Sequence, residues 1–443
     1  MAEYDAIVVG AGPGGSSAAY FLARSGARVL ILEKKAFPRA KTCGDGLTPR
    51  SVKVLEEIGI QDNIHSYQRV RGLRVVGAGR TLEMDWPQPS GSPGYGLVRA
   101  RKEMDQDLVQ RAISAGAELW TETEAMSPVW GDGAMCGVKW VRKQKAEGGG
   151  VEKVDEGTAM APITVIADGA ASPFARRVGL LRESSYPMGL AIRTYYRSER
   201  HNDDFFESWL EVKRGDVLLP GYGWIFPMGD GTVNIGIGLL TTFGSWRSVN
   251  LNQLQRWYIE ALPSSYGITH DDQTEPYKSG RLPMAGSMVR PFGPGYLLIG
   301  DAAGMVNPFN GEGIAYALET GKLAAGIIVD ALRSGDSPSL RGYHAALNDT
   351  YGAYYRLGRK FTKIIGDPRA FRLLCQVGMR SQTMMEFVFQ CLANLAEAQG
   401  GSLGDRAFRR IVKLAERDLP DLGDPEIPAP SPARSFDSRA GAA

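Results

Sequence analysis

Cysteine and histidine are both scarce in this chain of 443 residues, which has four of each. The cysteines, Cys43, Cys136, Cys375 and Cys391, are dispersed, and none stands at the CxxC spacing of a zinc site or redox pair. An iron–sulfur centre is excluded on the same ground. His65, His201, His270 and His344 show no HxxxH or HxxE pattern, so no bound metal is expected. Isolated thiols fit a reducing compartment. Long apolar runs are also missing, since the longest are broken well short of the roughly 18 residues that a membrane span requires. Charge of one sign is not in excess: Lys plus Arg number 51 against 49 for Asp plus Glu. Such a balance gives no sign-dominated field, and nucleic acid is not an expected partner. The opening MAEYDAIVVGAG has no basic start, signal-length apolar segment or small-residue cleavage site. A cytoplasmic chain is expected, with any membrane contact peripheral; oligomeric state is not readable.

What is present describes a folded protein with more than one core, at 43% hydrophobic and 23% charged residues. Asp5 to Val9 read as a short buried strand, followed at once by Gly10-Ala11-Gly12-Pro13-Gly14-Gly15 and the helical SSAAYFLARSG. Gly10, Gly12 and Gly15 have the spacing that close approach to a pyrophosphate requires: a tight turn, a bare backbone, and close helix-on-strand packing. Unpaired N–H groups at the helix start favour phosphate there. A second buried strand, ARVLILEK, ends in Glu33 and Lys34. An acid at that distance takes ribose hydroxyls and repels a 2′-phosphate, so the expected ligand carries a non-phosphorylated adenosine, as NAD or FAD does.

Far down the chain, the apolar strand Gly295 to Ile299 ends in a Gly300-Asp301 turn, and GMVNPFNGEG then feeds the helical IAYALETGKLAAGII. With Asp168-Gly169 in VIADGAASPFARR, these segments resemble the FAD fingerprint of the hydroxylase-like flavoproteins. That resemblance implies FAD as cofactor, held by Gly300 and Asp301 at its ribityl-pyrophosphate portion. It also implies that the loop from Pro308 through Gly311 to Gly313 lies beside the flavin. Arg101 and Asp105 in RARKEMDQDL match the arginine-plus-helix segment that lies against the cofactor. The implied fold is α/β (α+β): a Rossmann-like FAD-binding domain, a β-sheet substrate domain, and a helical C-terminal region.

Two further stretches narrow the resemblance. Phe37 to Arg50 is similar to the PR-x-K-x-CG-x-GL segment of the geranylgeranyl reductase family, and Pro220 to Pro227 matches its PxxYxWxFP pattern. CGDGLTPRSV, LLPGYGWIFP with VNIGIG, and LIGDAAGMVNPFNGEGI resemble the actinobacterial menaquinone reductase branch. The resemblance covers about residues 4 to 345. It implies reduction of isoprenoid C=C bonds, in a menaquinone side chain or geranylgeranyl groups, by hydride transfer from reduced flavin while a proton reaches the other carbon. Cys43, Gly44 and Asp45 are the candidate catalytic segment, because a thiol is mostly protonated at neutral pH and a buried carboxyl can be. Tyr222, Trp224 and Phe226 alternate along an extended segment framed by Pro220 and Pro227, and so share one sheet face suited to an apolar substrate. The electron donor is open between NAD(P)H and a reduced protein carrier, since VVGAGRTLEM lacks the third glycine and the helix of a second dinucleotide unit. The alternative on this scaffold is a flavin monooxygenase or halogenase. A halogenase would place tryptophan at 222 and isoleucine at 226. A non-enzymatic prenyl-binding escort is the other class, against which the intact glycine turns speak.

Residues 1–75, 96–180 and 276–345 are expected to assemble the FAD-binding domain, and 76–95 with 181–275 the substrate domain. KQKAEGGGVEKVDEG reads as a hairpin loop. Residues 346–420 show helical periodicity with interleaved basic residues, a pattern that packs inward or rests on a bilayer. Residues 421–443 are expected to be disordered.

Overall fold

Wholly apolar strands with no polar alternation belong inside a parallel sheet covered on both faces. Ala6–Val9 and Val29–Leu32 obey this, and every residue of both is buried. The computed structural model describes residues 3–60, 64–88, 91–145, 150–335, 340–395 and 403–417. Its six-stranded sheet runs in the order Phe292–Gly293, Tyr296–Leu298, Ile163–Ile166, Ala6–Val9, Val29–Leu32, Glu118–Trp120. All neighbours are parallel except the first pair. In register, Val8 sits between Val165 and Ile31, so the sheet centre is a continuous apolar layer.

Helix Pro13–Arg24 crosses helix Ile314–Ser334 on one face of this sheet. The approach is close because the contact is built from small residues. A Cβ on Gly321 would lie 2.5 Å from the Gly14 carbonyl oxygen, and Ser17 donates to the Leu318 carbonyl at 2.8 Å. Strands Thr123–Gly131, Ala134–Lys145 and Val151–Met160 form a three-stranded antiparallel sheet. Its strands Ala134–Lys145 and Val151–Met160 pair antiparallel, so KQKAEGGGVEKVDEG, expected as a hairpin loop, is strand at Lys143–Lys145 and from Val151 onward, and residues 146–149 lie outside the described residues.

The second body is a seven-stranded sheet in the order Lys278–Pro283, Met188–Arg197, Thr232–Leu240, Gly221–Pro227, Phe205–Trp209, Gly72–Gly77, Arg80–Asp85. It differs from the sequence expectation at both seams. The strand Gly72–Gly77 enters this sheet ahead of residue 76, and Lys278–Pro283 joins it from the range 276–345 assigned to the cofactor domain. The strands that tie them into this sheet, Phe205–Trp209 for Gly72–Gly77 and Met188–Arg197 for Lys278–Pro283, are remote in sequence, so local pattern carries no mark of the sheet they join. The stretch VVGAGRTLEM is the hairpin between Gly72–Gly77 and Arg80–Asp85, not a nucleotide turn.

Helices Ala353–Ile365, Pro368–Gly378, Gln382–Leu392 and Leu403–Arg417 follow. The break after Ile365 is written in Gly366-Asp367-Pro368: Asp367 caps the next helix by accepting from the Arg369 and Ala370 N–H groups, and Pro368 takes its first turn. Met385 and Phe389 join Val75, Trp86 and Phe206 in one apolar cluster, which fixes these helices against the outer strands of the seven-stranded sheet. Residues 421–443, expected to be disordered, lie outside the described residues.

Candidate active site

A cavity of about 780 Å³ runs from the first glycine turn to the C-terminal helices. At one end it is a cleft bordered by Gly10, Gly12, Pro13 and Gly14, with Glu33, Lys34, Arg101, Asp168, Gly169, Gly300, Asp301, Pro308, Gly311 and Gly313 along its walls. Gly10 has φ +102°, and a Cβ there would meet the Ala167 carbonyl oxygen at 2.6 Å, so only glycine makes this turn. Helices Pro13–Arg24 and Ile314–Ser334 both begin without a side-chain cap and without an acid in the first turn. Their starts therefore present backbone N–H groups, and Pro13 and Ile314 border the cleft. Glu33 accepts from the Ala11 N–H at 3.0 Å and the Lys35 N–H at 3.1 Å, which holds its carboxylate at the cleft wall. Two uncapped helix starts, a fixed acid beside the first of them and a glycine cradle fit a dinucleotide such as FAD.

From Glu33 an ion-pair chain leads inward. Arg39 pairs with Glu33 at 3.1 Å and with Asp105 at 2.9 Å, and Asp105 takes Arg101 through both oxygens at 2.7 and 2.8 Å. Arg101 is buried, and its positive charge near Cys43 pulls the thiol's pKa downward. Asp168 holds its own turn, accepting from the Ser172 hydroxyl and from the Phe174 N–H at 2.8 Å.

The Cys43-Gly44-Asp45 loop lies where this chain meets the seven-stranded sheet. Asp45 is fully buried with φ +64°. One carboxylate oxygen accepts from the Tyr195 hydroxyl at 2.6 Å and the Asn234 amide at 2.7 Å, and the other from the Arg101 N–H at 3.2 Å. Asn234 also donates to the Cys43 carbonyl at 3.0 Å and accepts from the Trp224 indole at 3.0 Å. Burial pushes the Asp45 carboxyl up, against the pull of Arg193, Tyr195 and Asn234. Burial, then the Asp45 charge, pushes the Cys43 thiol up as well. Gly44 packs on the aromatic strand: a Cβ there would touch Phe226 and Trp224 at 3.4 Å.

Beyond the loop the cavity is apolar. Tyr222, Trp224 and Phe226 line it in sequence, with neighbouring ring centroids 6.1 and 6.2 Å apart. Tyr222 is pinned by its hydroxyl donating to the Asn310 carbonyl at 2.6 Å. Trp86 and Phe206 add a second wall and helices Pro368–Gly378 and Gln382–Leu392 a third.

Glu312 borders the cavity in the loop after Pro308. The Thr48 hydroxyl donates to one of its oxygens, while the other is buried with no partner among the described residues. Burial pushes its pKa up to about 7, opposed by Thr48 and Arg50.

Three expected site residues are not brought to the cavity. Gly15 lies behind the turn, where a Cβ would collide with the Gly10 carbonyl oxygen, so its role is packing. Pro220 and Pro227 do not line the cavity either. Pro220 accepts from the Leu240 N–H and Pro227 is buried in register with Val233, so both shape the ends of the strand. Conversely Tyr195, Asn234 and Glu312 were not singled out from sequence. Asn234 had a legible signal, a lone amide amid the apolar VNIGIG.

The FAD binding domain family model matches residues 3–350. Menaquinone reductase of Mycobacterium tuberculosis (strain ATCC 25618 / H37Rv) is 37% identical over 421 residues, covering 94% of this chain and 98% of the relative. Digeranylgeranylglycerophospholipid reductase of Thermoplasma volcanium is 31% identical over 354 residues, covering 78% and 83%. A solved structure of a geranylgeranyl bacteriochlorophyll reductase-like protein from Thermoplasma acidophilum superposes with a TM-score of 0.72 at 23% identity, covering 93% of this chain and 99% of that one, and shows the shared fold. Agreement of that extent, over a cleft shaped for FAD, makes the chain a member of the geranylgeranyl reductase family of FAD-dependent oxidoreductases, in the branch that holds the menaquinone reductases.

Proposed function

We propose that this FAD-dependent oxidoreductase saturates carbon–carbon double bonds of a long isoprenoid chain, a menaquinone side chain first and geranylgeranyl groups second. The carrying observation is the continuity of the cofactor cleft with an apolar chamber walled by the Tyr222–Phe226 strand and two C-terminal helices. An isolated alkene has no charge or carbonyl to grip, so it must be held by apolar contact and shape. Aromatic rings fixed at one end by hydrogen bonds, as Tyr222 and Trp224 are, provide such a wall.

Bound FAD, once reduced, supplies the hydride. Glu33, Asp301 and the two glycine turns would hold it. The chain's own residues must supply the proton. Cys43 faces the cavity with a thiol that stays protonated at neutral pH, and the Arg101 guanidinium beside it steadies the thiolate left after transfer. Asp45 holds the loop that carries this thiol. In a Cys43→Ala holoenzyme, kcat is expected to fall about 100-fold or more with flavin content unchanged; an unaltered kcat would remove the thiol from this role.

Electrons arrive from transient NAD(P)H or from a reduced protein carrier, and anaerobic titration of the holoenzyme with each separates the two. Substrates of this class reside in bilayers, so the reading includes peripheral membrane contact; no helix among the described residues is long and apolar enough to cross a membrane. The direct test incubates reduced holoenzyme with a polyprenyl menaquinone and follows mass. A two-hydrogen gain supports the reading. No gain on any polyprenyl substrate, or oxygen consumption coupled to turnover, favours the monooxygenase alternative.

A further inference from the structure

The apolar chamber reaches the surface through the C-terminal helices. Leu374, Val377 and Met384 line the cavity and are also solvent-exposed. Leu373, 60% exposed, and Ile364, 55% exposed, extend the same surface without lining the cavity. The other exposed large apolar side chains among the described residues lie one to an element or loop, a pattern that needs no explanation. This cluster does.

Helical spacing explains how one segment serves two surfaces. In Pro368–Gly378, Phe371, Cys375 and Gly378 are buried against the cavity, Leu374 and Val377 border both cavity and solvent, and Leu373 faces outward beside them, so the exposed side is an apolar ridge. Lys363, Arg369, Arg372 and Arg380 are exposed on the same stretch. Its two acids are engaged locally: Asp367 caps its helix and Glu386 accepts from Gln382. An apolar ridge rimmed by cations, at the mouth of an apolar cavity, matches the chemistry of an anionic lipid leaflet.

We propose that the face formed by Pro368–Gly378 and Gln382–Leu392 docks on an anionic phospholipid bilayer and is the portal by which an isoprenoid chain passes from the leaflet into the cavity. The inference rests on the reading of the substrate as an isoprenoid lipid, and it adds the surface and the partner.

Flavin-loaded full-length protein is sedimented with vesicles of mixed phosphatidylglycerol and phosphatidylcholine, and with phosphatidylcholine alone. Binding is expected to the anionic vesicles, weakened by salt. Leu373→Glu with Ile364→Glu should lower that binding by about tenfold or more, and Arg369→Glu with Arg372→Glu should abolish the preference for anionic lipid. Turnover of a quinone embedded in vesicles should fall with binding in the Leu373 and Ile364 variant, while turnover of a short isoprenoid in detergent holds at the parent rate. Retained flavin content and circular dichroism establish that the variants fold. Equal binding to neutral vesicles, unchanged binding of the variants, or light scattering showing this face consumed in a dimer would each overturn the proposal. If vesicle binding follows the expected pattern and no isoprenoid is reduced, docking stands and the substrate reading fails.

Discussion

The Tyr195 hydroxyl donates to the Asp45 carboxylate at 2.6 Å, joining residues 150 positions apart and fastening the Cys43 loop to the seven-stranded sheet at the strand Met188–Arg197. Truncating Asp45 would leave the Tyr195 hydroxyl and the Asn234 amide without their buried acceptor. Asp45→Ala is expected to destabilise the protein by about 3 kcal/mol, the sum of lost acceptors and an alanine held at positive φ. Asp45→Asn, whose side chain tolerates that backbone, should lose about half as much. Urea unfolding of the two variants checks the order; equal loss would mean the hydrogen bonds contribute nothing.

Glu33 is the charged acceptor at the cleft wall, held by two backbone N–H groups and Arg39. Glu33→Gln keeps the volume and removes the charge. FAD binding is expected to weaken by about tenfold or more, since hydrogen bonds to a charged group are worth about 1.5–3 kcal/mol. Titration of apoprotein followed by quenching of flavin fluorescence reads this directly. Unchanged affinity would show that the acid serves only to order the turn.

Glu312 makes stability depend on pH with a definite sign. Its folded pKa of about 7 lies above the ordinary 4.5, so between these values the folded chain keeps a proton that the unfolded chain has released. Stability then falls as pH rises through that window, by about 3 kcal/mol at most. Glu312→Gln removes this slope. Denaturation midpoints of apoprotein at about pH 5 and about pH 8 should converge in the variant, and a parent protein with no such slope would count against the buried acid.

Gly236 makes room for Trp224. A Cβ there would lie 2.2 Å from the indole ring and 2.4 Å from the Ile192 carbonyl oxygen. Gly236→Ala must displace the ring or spread the strands, at an expected cost of about 1–3 kcal/mol. Because Trp224 donates to Asn234, the shift should also appear in tryptophan emission. A variant with the parent melting temperature and spectrum would show that the strand yields freely.

Legibility in sequence tracked the distance over which information had to act. The Gly10 turn, the acid at Glu33 and the Gly300-Asp301 turn are local, and each reads as strand, turn and helix without a partner. The alternation of Tyr222, Trp224 and Phe226 placed three rings on one face because strand geometry alone decides it. Tyr195 was invisible because its value depends on which strand neighbours Met188–Arg197, a matter of register between remote segments. The same blindness misplaced Gly72–Gly77 and Lys278–Pro283. The C-terminal helices read as amphipathic, but an apolar face that packs inward and one that borders a chamber have the same periodicity.

The loop bearing Asp45 is sewn to both bodies at once, through the Arg101 N–H on one side and Tyr195 with Asn234 on the other. Gly46 closes the seam further, since a Cβ there would already press on Phe206 and Phe226 at 3.0 Å. The two sheets therefore cannot gape like a clam to admit a bulky guest without tearing a buried carboxylate from its donors. On the proposed reading the long, flexible guest threads in end first, and how far its tail slides before stopping decides which of its repeating units is altered.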